Sequence, residues 1–315
     1  MAIKKRIKHY FYIPFTGLGL YGGYRGDRWF KNRIQIFDQF VIPSLINQTN
    51  KNFTVWCSFT HNQKGHYLVD KLDAYLTSAG LEHVFTYNGI CFYDDKQPKE
   101  TARQTLVENL HNTIGELLDD IGEVDKVYMT IQPSDDCYYE GAVEEIQNEL
   151  DSDLEAIGYK HGYIANYQTL EYSEYNCETN PPFYTIKFDR EIFTDPVDHV
   201  DYTATKHEIP GYPVGTPLPS HEWVKDCLNY KQINERGFVV GTHGENISTY
   251  YNHPFKGKYI GQFEGVEPLV LKFSWRKQFF NKLPHCVKRK LRYWATDKKW
   301  ILRPLFNAIY NYLRQ

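Results

Sequence analysis

The sequence lacks the features that would place it in a special environment. Its 315 residues hold no apolar run of about 18 residues, so no segment reads as a membrane-spanning helix. The basic N-terminus enters a strand-like run without a cleavage site, so no secretory leader is expected. The six cysteines (Cys57, Cys91, Cys137, Cys177, Cys227 and Cys286) are widely spaced, with no C-x-x-C pair. Reduced thiols in a cytosolic protein are the expectation. Internal repeats and low-complexity tracts are missing as well, which leaves an ordinary globular chain of one large or two small domains.

Two properties are out of the ordinary. Aromatic residues make up 16% of the chain, 26 of them Tyr, which suits stacking on sugars or bases and equally a Tyr-rich core. The net charge of −3 conceals an asymmetry: residues 272–315 carry 12 Lys/Arg against the single acid Asp297, leaving 24 cations and 38 acids, a balance of −14, on residues 1–271. In the tail those cations alternate with Trp275, Phe279, Phe280, Leu291, Trp294, Trp300, Ile301, Leu305 and Phe306. Such a segment suits either an anionic membrane surface or the acidic body of the protein itself. Nucleic-acid binding is not expected, because the basic charge is confined to the tail and no recognition motif is present.

Periodicity predicts strand alternating with helix over the first half. Lys8 to Phe15 reads as a strand, followed by the glycine loop GLGLYGGYRGDR. Gly17, Gly19 and Gly22 fit the dinucleotide pattern G-x-G-x-x-G. However, no helix opens within the glycines, and the next strand ends in Ser58, Phe59, Thr60 and His61 rather than an acid. An NAD-dependent oxidoreductase is therefore the weaker reading, and a loop lying over a nucleotide the stronger. A helix is expected from Asp27 as N-cap, with Ile34, Phe37 and Val41 buried, and Pro43 breaking it and able to start a further turn, PSLINQ. Strands follow at Asn52 to Phe59 and at HVFTY, with a helix between them that stops at Gly80. A long helix over Thr101 to Ile121 leads into the strand Val127 to Ile131, and Gly141 to Leu150 is helical again.

This is the pattern of a parallel sheet with helices on its faces. Beyond residue 155, Tyr159 to Tyr167 and Phe183 to Phe188 read as antiparallel strands. A helix starts at Ser220, and a short strand, Gly237 to Thr242, leads into HGENIS. The parallel half ends in the turn that follows Ile131, where Asp135 and Asp136 stand side by side. Ligands of open α/β sheets bind at the carboxyl ends of strands, and paired carboxylates there can hold a hard cation. A plain solvated turn is the competing reading, since Pro, Ser and Asp are good turn formers.

Trp29, Arg33, Phe37, Pro43, Ser44, Leu45, Gln48, Phe53 and Trp56, the carboxylate turn, and His243 to Ser248 together resemble the GT-A glycosyltransferases. Within them the likeness is to the rhamnosyltransferase family of bacterial and viral surface-polysaccharide clusters, over residues 8–250. The family's carboxylate motif reads like R-L-D-x-D-D, so Pro133 here replaces the first acid.

The resemblance implies an α/β GT-A fold, a mostly parallel sheet with helices on both faces. It would comprise a nucleotide-binding half over residues 1–155, an acceptor half over 156–271, and a basic helical tail over 272–315. It implies transfer of a sugar from a nucleotide-diphosphate donor to a glycan or lipid-linked acceptor, with inversion. A Mn²⁺ or Mg²⁺ ion would be held by Asp136 with His243 as third ligand, or His243 would instead donate to phosphate. Asp135 would contact the donor, Thr16 the base, and Arg25, Arg28 and Arg103 the diphosphate. Arg33 is read as structural. Glu222 is the expected general base, with Asp226 in reserve. The protein would be cytoplasmic, or peripheral on the inner face of a membrane. A degenerate domain that binds carbohydrate or a partner without turnover is the alternative, motivated by Pro133.

Overall fold

The computed structural model describes residues 6–16, 26–89, 112–176, 183–194, 224–243 and 257–271. Two compact units divide the chain, Met1–Leu269 and Val270–Gln315.

The first unit is built on one sheet. Strands β1 (Ile7–Pro14), β2 (Thr54–Thr60), β3 (His83–Gly89) and β4 (Lys126–Ile131) form its parallel half, in the order β3-β2-β1-β4. Strands β5 (Cys137–Tyr138), β6 (Ala156–Asn166), β7 (Glu171–Asn176), β8 (Tyr184–Asp189), β9 (Tyr230–Thr242) and β10 (Tyr259–Gln262) extend it. β8 lies antiparallel beside β4, β6 antiparallel beside β8, and β7 and β10 continue antiparallel to the edge. β9 runs parallel to β6 over nearly its whole length and takes β5 as an antiparallel partner. A parallel α/β half followed by antiparallel strands is therefore present, as the sequence pattern predicts.

The side-chain alternation of the central strands explains the two-sided burial. On β1, Phe11 and Ile13 point to one face and Tyr10 and Tyr12 to the other, and all four are buried. The first face packs against α1 (Asp27–Ile36), α2 (Ile42–Ile46), α3 (Tyr67–Ser78) and the helix Ala142–Leu150. The second packs against Leu117, Ile121, Phe193, Val224 and Leu228, from the short helices Leu118–Ile121, Arg190–Thr194 and Val224–Cys227 and their flanks.

Four local expectations need correction. Asp27 is not the cap of α1: Gly26 occupies that position at φ 89, a left-handed conformation that glycine tolerates, and Asp27 lies in the first turn near His66 at 3.2 Å. Pro43 starts the further turn expected of it, but it does not break the helical path. A wider π-helical turn, Phe37–Val41, joins α1 to α2, and Pro43 falls in the first turn of α2, where a missing N–H costs nothing. The described part of the helix expected over Thr101 to Ile121 is interrupted after Gly115, and the Glu116 carboxylate there accepts the Tyr87 N–H at 2.7 Å. Finally, β9 begins at Tyr230 rather than Gly237. Its first half is largely exposed, so it carries no apolar run, and only its pairing with β6 makes it a strand.

One buried polar group predicts a pH dependence. His9 on β1 is 1% exposed; its Nε2 lies 2.7 Å from Thr130 Oγ1 and its Nδ1 lies 3.1 Å from Gln147 Nε2. The Gln147 amide donates to Nδ1, which leaves the proton on Nε2 facing the threonine. Burial lowers the His9 pKa to about 3. Between that value and about 6.5 the unfolded chain holds a proton that the fold excludes, so stability falls as pH drops through this window. Between pH 7 and pH 5 the loss from this group is about 2 kcal/mol, and urea unfolding at the two values should show it. The His9→Gln variant should have the shallower dependence; an unchanged slope would remove His9 as the cause.

Candidate functional site

The turn after β4 is closed by the Asp136 N–H donating to the Pro133 carbonyl at 3.2 Å. The Gln132 side-chain amide donates to the Pro133 and Asp136 carbonyls, and the Tyr138 hydroxyl donates back to the Ile131 carbonyl at 2.8 Å. β5 then leaves the turn and pairs with β9, which brings the end of β9 against the two aspartates. The position follows from the topology, at the carboxyl ends of β4 and β9.

The aspartates face different surroundings. Asp136 is 6% exposed and turned inward, and its Oδ1 accepts the Gly241 N–H at 2.8 Å. Asp135 Oδ2 receives the Arg33 Nη1 at 2.7 Å and lies 2.9 Å from His243 Nε2. The Asp135 side chain is 15% exposed, while Arg33 is 5% exposed and His243 is fully buried. Burial alone would raise the Asp135 carboxyl, but the Arg33 guanidinium and then His243 outweigh it and hold the group well below the usual carboxylate range. For Asp136, burial first and the neighbouring Asp135 charge second push the carboxyl well above its ordinary value. The negative charge of the pair therefore rests on Asp135, and Asp136 is the first to take a proton as pH falls.

A ring of packing holds these groups. Arg33 stands over the Trp29 ring, its guanidinium carbon 5.7 Å from the centroid. The Tyr167 hydroxyl donates to the Asp135 carbonyl at 2.9 Å, and the Tyr167 ring stacks on Phe40 at 3.7 Å and 6°. The Tyr167 N–H donates to the Thr242 carbonyl at 2.9 Å, tying the end of β6 to the residue before His243. Cys137 is a buried free thiol 3.5 Å from the Tyr167 hydroxyl, and Cys57 is likewise free and buried.

The expected site residues divide accordingly. Asp135, Asp136 and His243 come together, but His243 faces Asp135 rather than Asp136. Thr16 is 1% exposed; its hydroxyl donates to Gln63 Oε1 and accepts the Thr60 N–H at 3.1 Å, fastening the end of β1 to the end of β2. Arg28 is exposed in the first turn of α1. Arg25, Arg103 and Glu222 lie outside the described residues, as do residues 17–25 of the glycine loop and residues 272–315. Asp226 falls on the helix Val224–Cys227, with its side chain outside the described part.

Sequence reasoning missed Arg33 as a member of the site, although Trp29, Arg33, Phe37 and Phe40 recur at helical spacing and place a cation in an apolar stripe. Tyr167 and Gly241 carried no local signal.

A divalent cation does not fit this donor set. No group of three His, Cys, Asp or Glu side chains able to hold a metal occurs among the described residues. Asp136, the expected ligand, is buried with its Oδ1 taken by the Gly241 N–H, and His243, the other expected ligand, points its Nε2 at Asp135 Oδ2, which already meets the Arg33 guanidinium. A hard cation wants six or more oxygen ligands and would be repelled by Arg33 at this range.

No family model matches the chain, and no curated protein sequence matches it. Among solved structures it is similar to TarS of S. aureus, at 11% identity over 75% of this chain with a TM-score of 0.34. It spans only 36% of that protein. A protein of Desulfovibrio desulfuricans G20 assigned to the nucleotide-diphospho-sugar transferases is 13% identical over 75% of this chain and 80% of its own, TM-score 0.35. HddC from Yersinia pseudotuberculosis, solved with GMP-PN, is 11% identical over 74% of this chain and 92% of its own, TM-score 0.36.

Proposed function

We propose that the protein is a glycosyltransferase that takes a sugar from a nucleotide-diphosphate donor and passes it to a glycan or lipid-linked acceptor in surface-polysaccharide synthesis. The observation that carries this reading is the placement of an ionised Asp135, flanked by Arg33 and His243, where the parallel strand β4 ends. An ionised, partly exposed carboxylate at that position is a strong acceptor for donor hydroxyls, such as those of a ribose. Arg33 and His243 hold the carboxylate, and Tyr167, stacked on Phe40, holds the Asp135 main-chain carbonyl. Glu222, with Asp226 in reserve, is assigned as the base that takes the acceptor proton in an inverting displacement, and nucleotide binding is assigned to residues 1–155. No helix among the described residues is long and apolar enough to cross a membrane. Residues 272–315 are proposed to hold the enzyme on an anionic membrane surface from the cytoplasmic side, close to a lipid-linked acceptor.

Thermal unfolding with a panel of nucleoside diphosphates and nucleotide sugars, with and without Mn²⁺, tests the reading. At least one nucleotide should raise the melting temperature, and Asp135→Asn should reduce that rise. Saturation at about 100 times Kd corresponds to about 2.7 kcal/mol of stabilisation, a readily measured shift. Stabilisation by NADH alone would revive the oxidoreductase reading, and nucleotide binding without sugar transfer or donor hydrolysis would favour the degenerate domain. No response to any nucleotide would end the proposal.

A further inference from the structure

Arg33 has more donors than the fold uses. A guanidinium carries five N–H groups in a rigid plane. Among the described residues, its one acceptor is Asp135 Oδ2, with the Trp29 ring as its other partner. A donor sealed from solvent without a partner would be a costly defect, yet Arg33 is not among the buried side chains left with such an atom. Its spare N–H groups therefore reach solvent, although the side chain as a whole is only 5% exposed. The result is a positive charge pinned by Trp29 and Asp135, with hydrogen-bond donors left over, beside the one partly exposed carboxylate of the site. Phosphate oxygens are the ligand that such a planar fork suits best.

Resting on the nucleotide-sugar reading, we infer that Arg33 supplies the positive charge that a divalent cation would otherwise bring to the donor diphosphate, so that the diphosphate binds here without metal. Three observations converge on this. Pro133 stands where the motif that the chain resembles has an acid, the guanidinium lies against Asp135 Oδ2, and His243, an expected metal ligand, turns its Nε2 to that same oxygen. Each subtracts from a metal site, and the second adds an anion site in the same place. Asp135 accepts from donor hydroxyls while Arg33 meets the phosphates, and a ligand without hydroxyls separates the two roles.

The test uses the full chain, inorganic pyrophosphate, and the nucleoside diphosphate that stabilises most, each titrated in EDTA and in Mn²⁺. Both ligands should bind equally well in the two conditions. Arg33→Lys keeps the charge beside Asp135, and with it the fold, but loses the planar fork; it should bind pyrophosphate about tenfold or more weakly. Asp135→Asn should retain pyrophosphate binding, since it leaves the guanidinium in place and frees it of its carboxylate. Circular dichroism and melting of each variant separate lost binding from lost fold. Binding that appears only with Mn²⁺ and vanishes in EDTA or in Asp135→Asn would overturn the inference while leaving the glycosyltransferase reading intact. Metal-independent binding unaffected by Arg33→Lys would likewise overturn it. No binding of any nucleotide in either condition would remove both.

Discussion

Arg33→Gln should destabilise the protein by about 3–5 kcal/mol at neutral pH, because it leaves Asp135 as a charge with most of its surface buried and its closest cation removed. Much of that cost comes from the stranded partner rather than from any net value of the pair. The double variant Arg33→Gln/Asp135→Asn should therefore recover the larger part of the loss, in a double-mutant cycle read by urea unfolding. Equal destabilisation of the single and double variants would instead assign the role of Arg33 to its packing on Trp29. The pH dependence gives a second check. The Asp135 carboxyl is held below its unfolded value, so its contribution is present above about pH 4 and is lost as pH falls toward the lower folded value. Removing Arg33 takes away the largest cause of that depression, and the acid limb should flatten.

Gly241→Val should do comparable damage by a different route. A Cβ at Gly241 would be driven into the Asp135 carbonyl oxygen and the Tyr167 ring. The first obstacle is backbone, which no rotamer change relieves. The end of β9 must move away from the carboxylate turn, and the Gly241 N–H then leaves Asp136 Oδ1, now 2.8 Å away. Overpacking alone costs about 1–3 kcal/mol, and the orphaned buried acceptor adds about 1–3 kcal/mol. Gly241→Ala should show most of the effect, because the clash begins at the first carbon. Both variants should lose nucleotide binding along with stability, which melting with and without ligand would report. A Gly241→Ala protein of unchanged melting temperature would show that the turn and β9 can separate without cost.

The two variants act on one assembly from opposite sides, α1 and β9, and neither side is near the turn in sequence. That separation explains what was legible in the chain alone. The aromatic and β-branched runs at Lys8–Phe15, Asn52–Phe59 and Val127–Ile131 are local signals, and each became a strand of the parallel half. Asp135 and Asp136 were legible as a candidate because they stand side by side after a buried strand, although a plain solvated turn fits the same residues. The division of labour between them was not. Whether an aspartate is ionised depends on which charges the fold brings near it. Arg33, on α1, and His243, more than a hundred residues beyond the turn, both converge on Asp135, while Asp136 turns to a backbone N–H of β9.

The same reasoning covers the misread elements. β9 has an exposed first half with no apolar alternation, so only its partner β6 could reveal it. Pro43 is a local breaker by its chemistry, but a π-helical turn ahead of it let the helical path continue. Arg33 stands in an apolar stripe and reads as structural from the sequence, which places a cation among apolar neighbours without showing what neutralises it. By itself the sequence determined the α/β order, the strand that became β1 and the place of the acidic turn, since these follow from period and composition. Only the tertiary structure decided which carboxylate carries charge and that an arginine stands against it, since electrostatic energies depend on distances between residues that the chain keeps far apart.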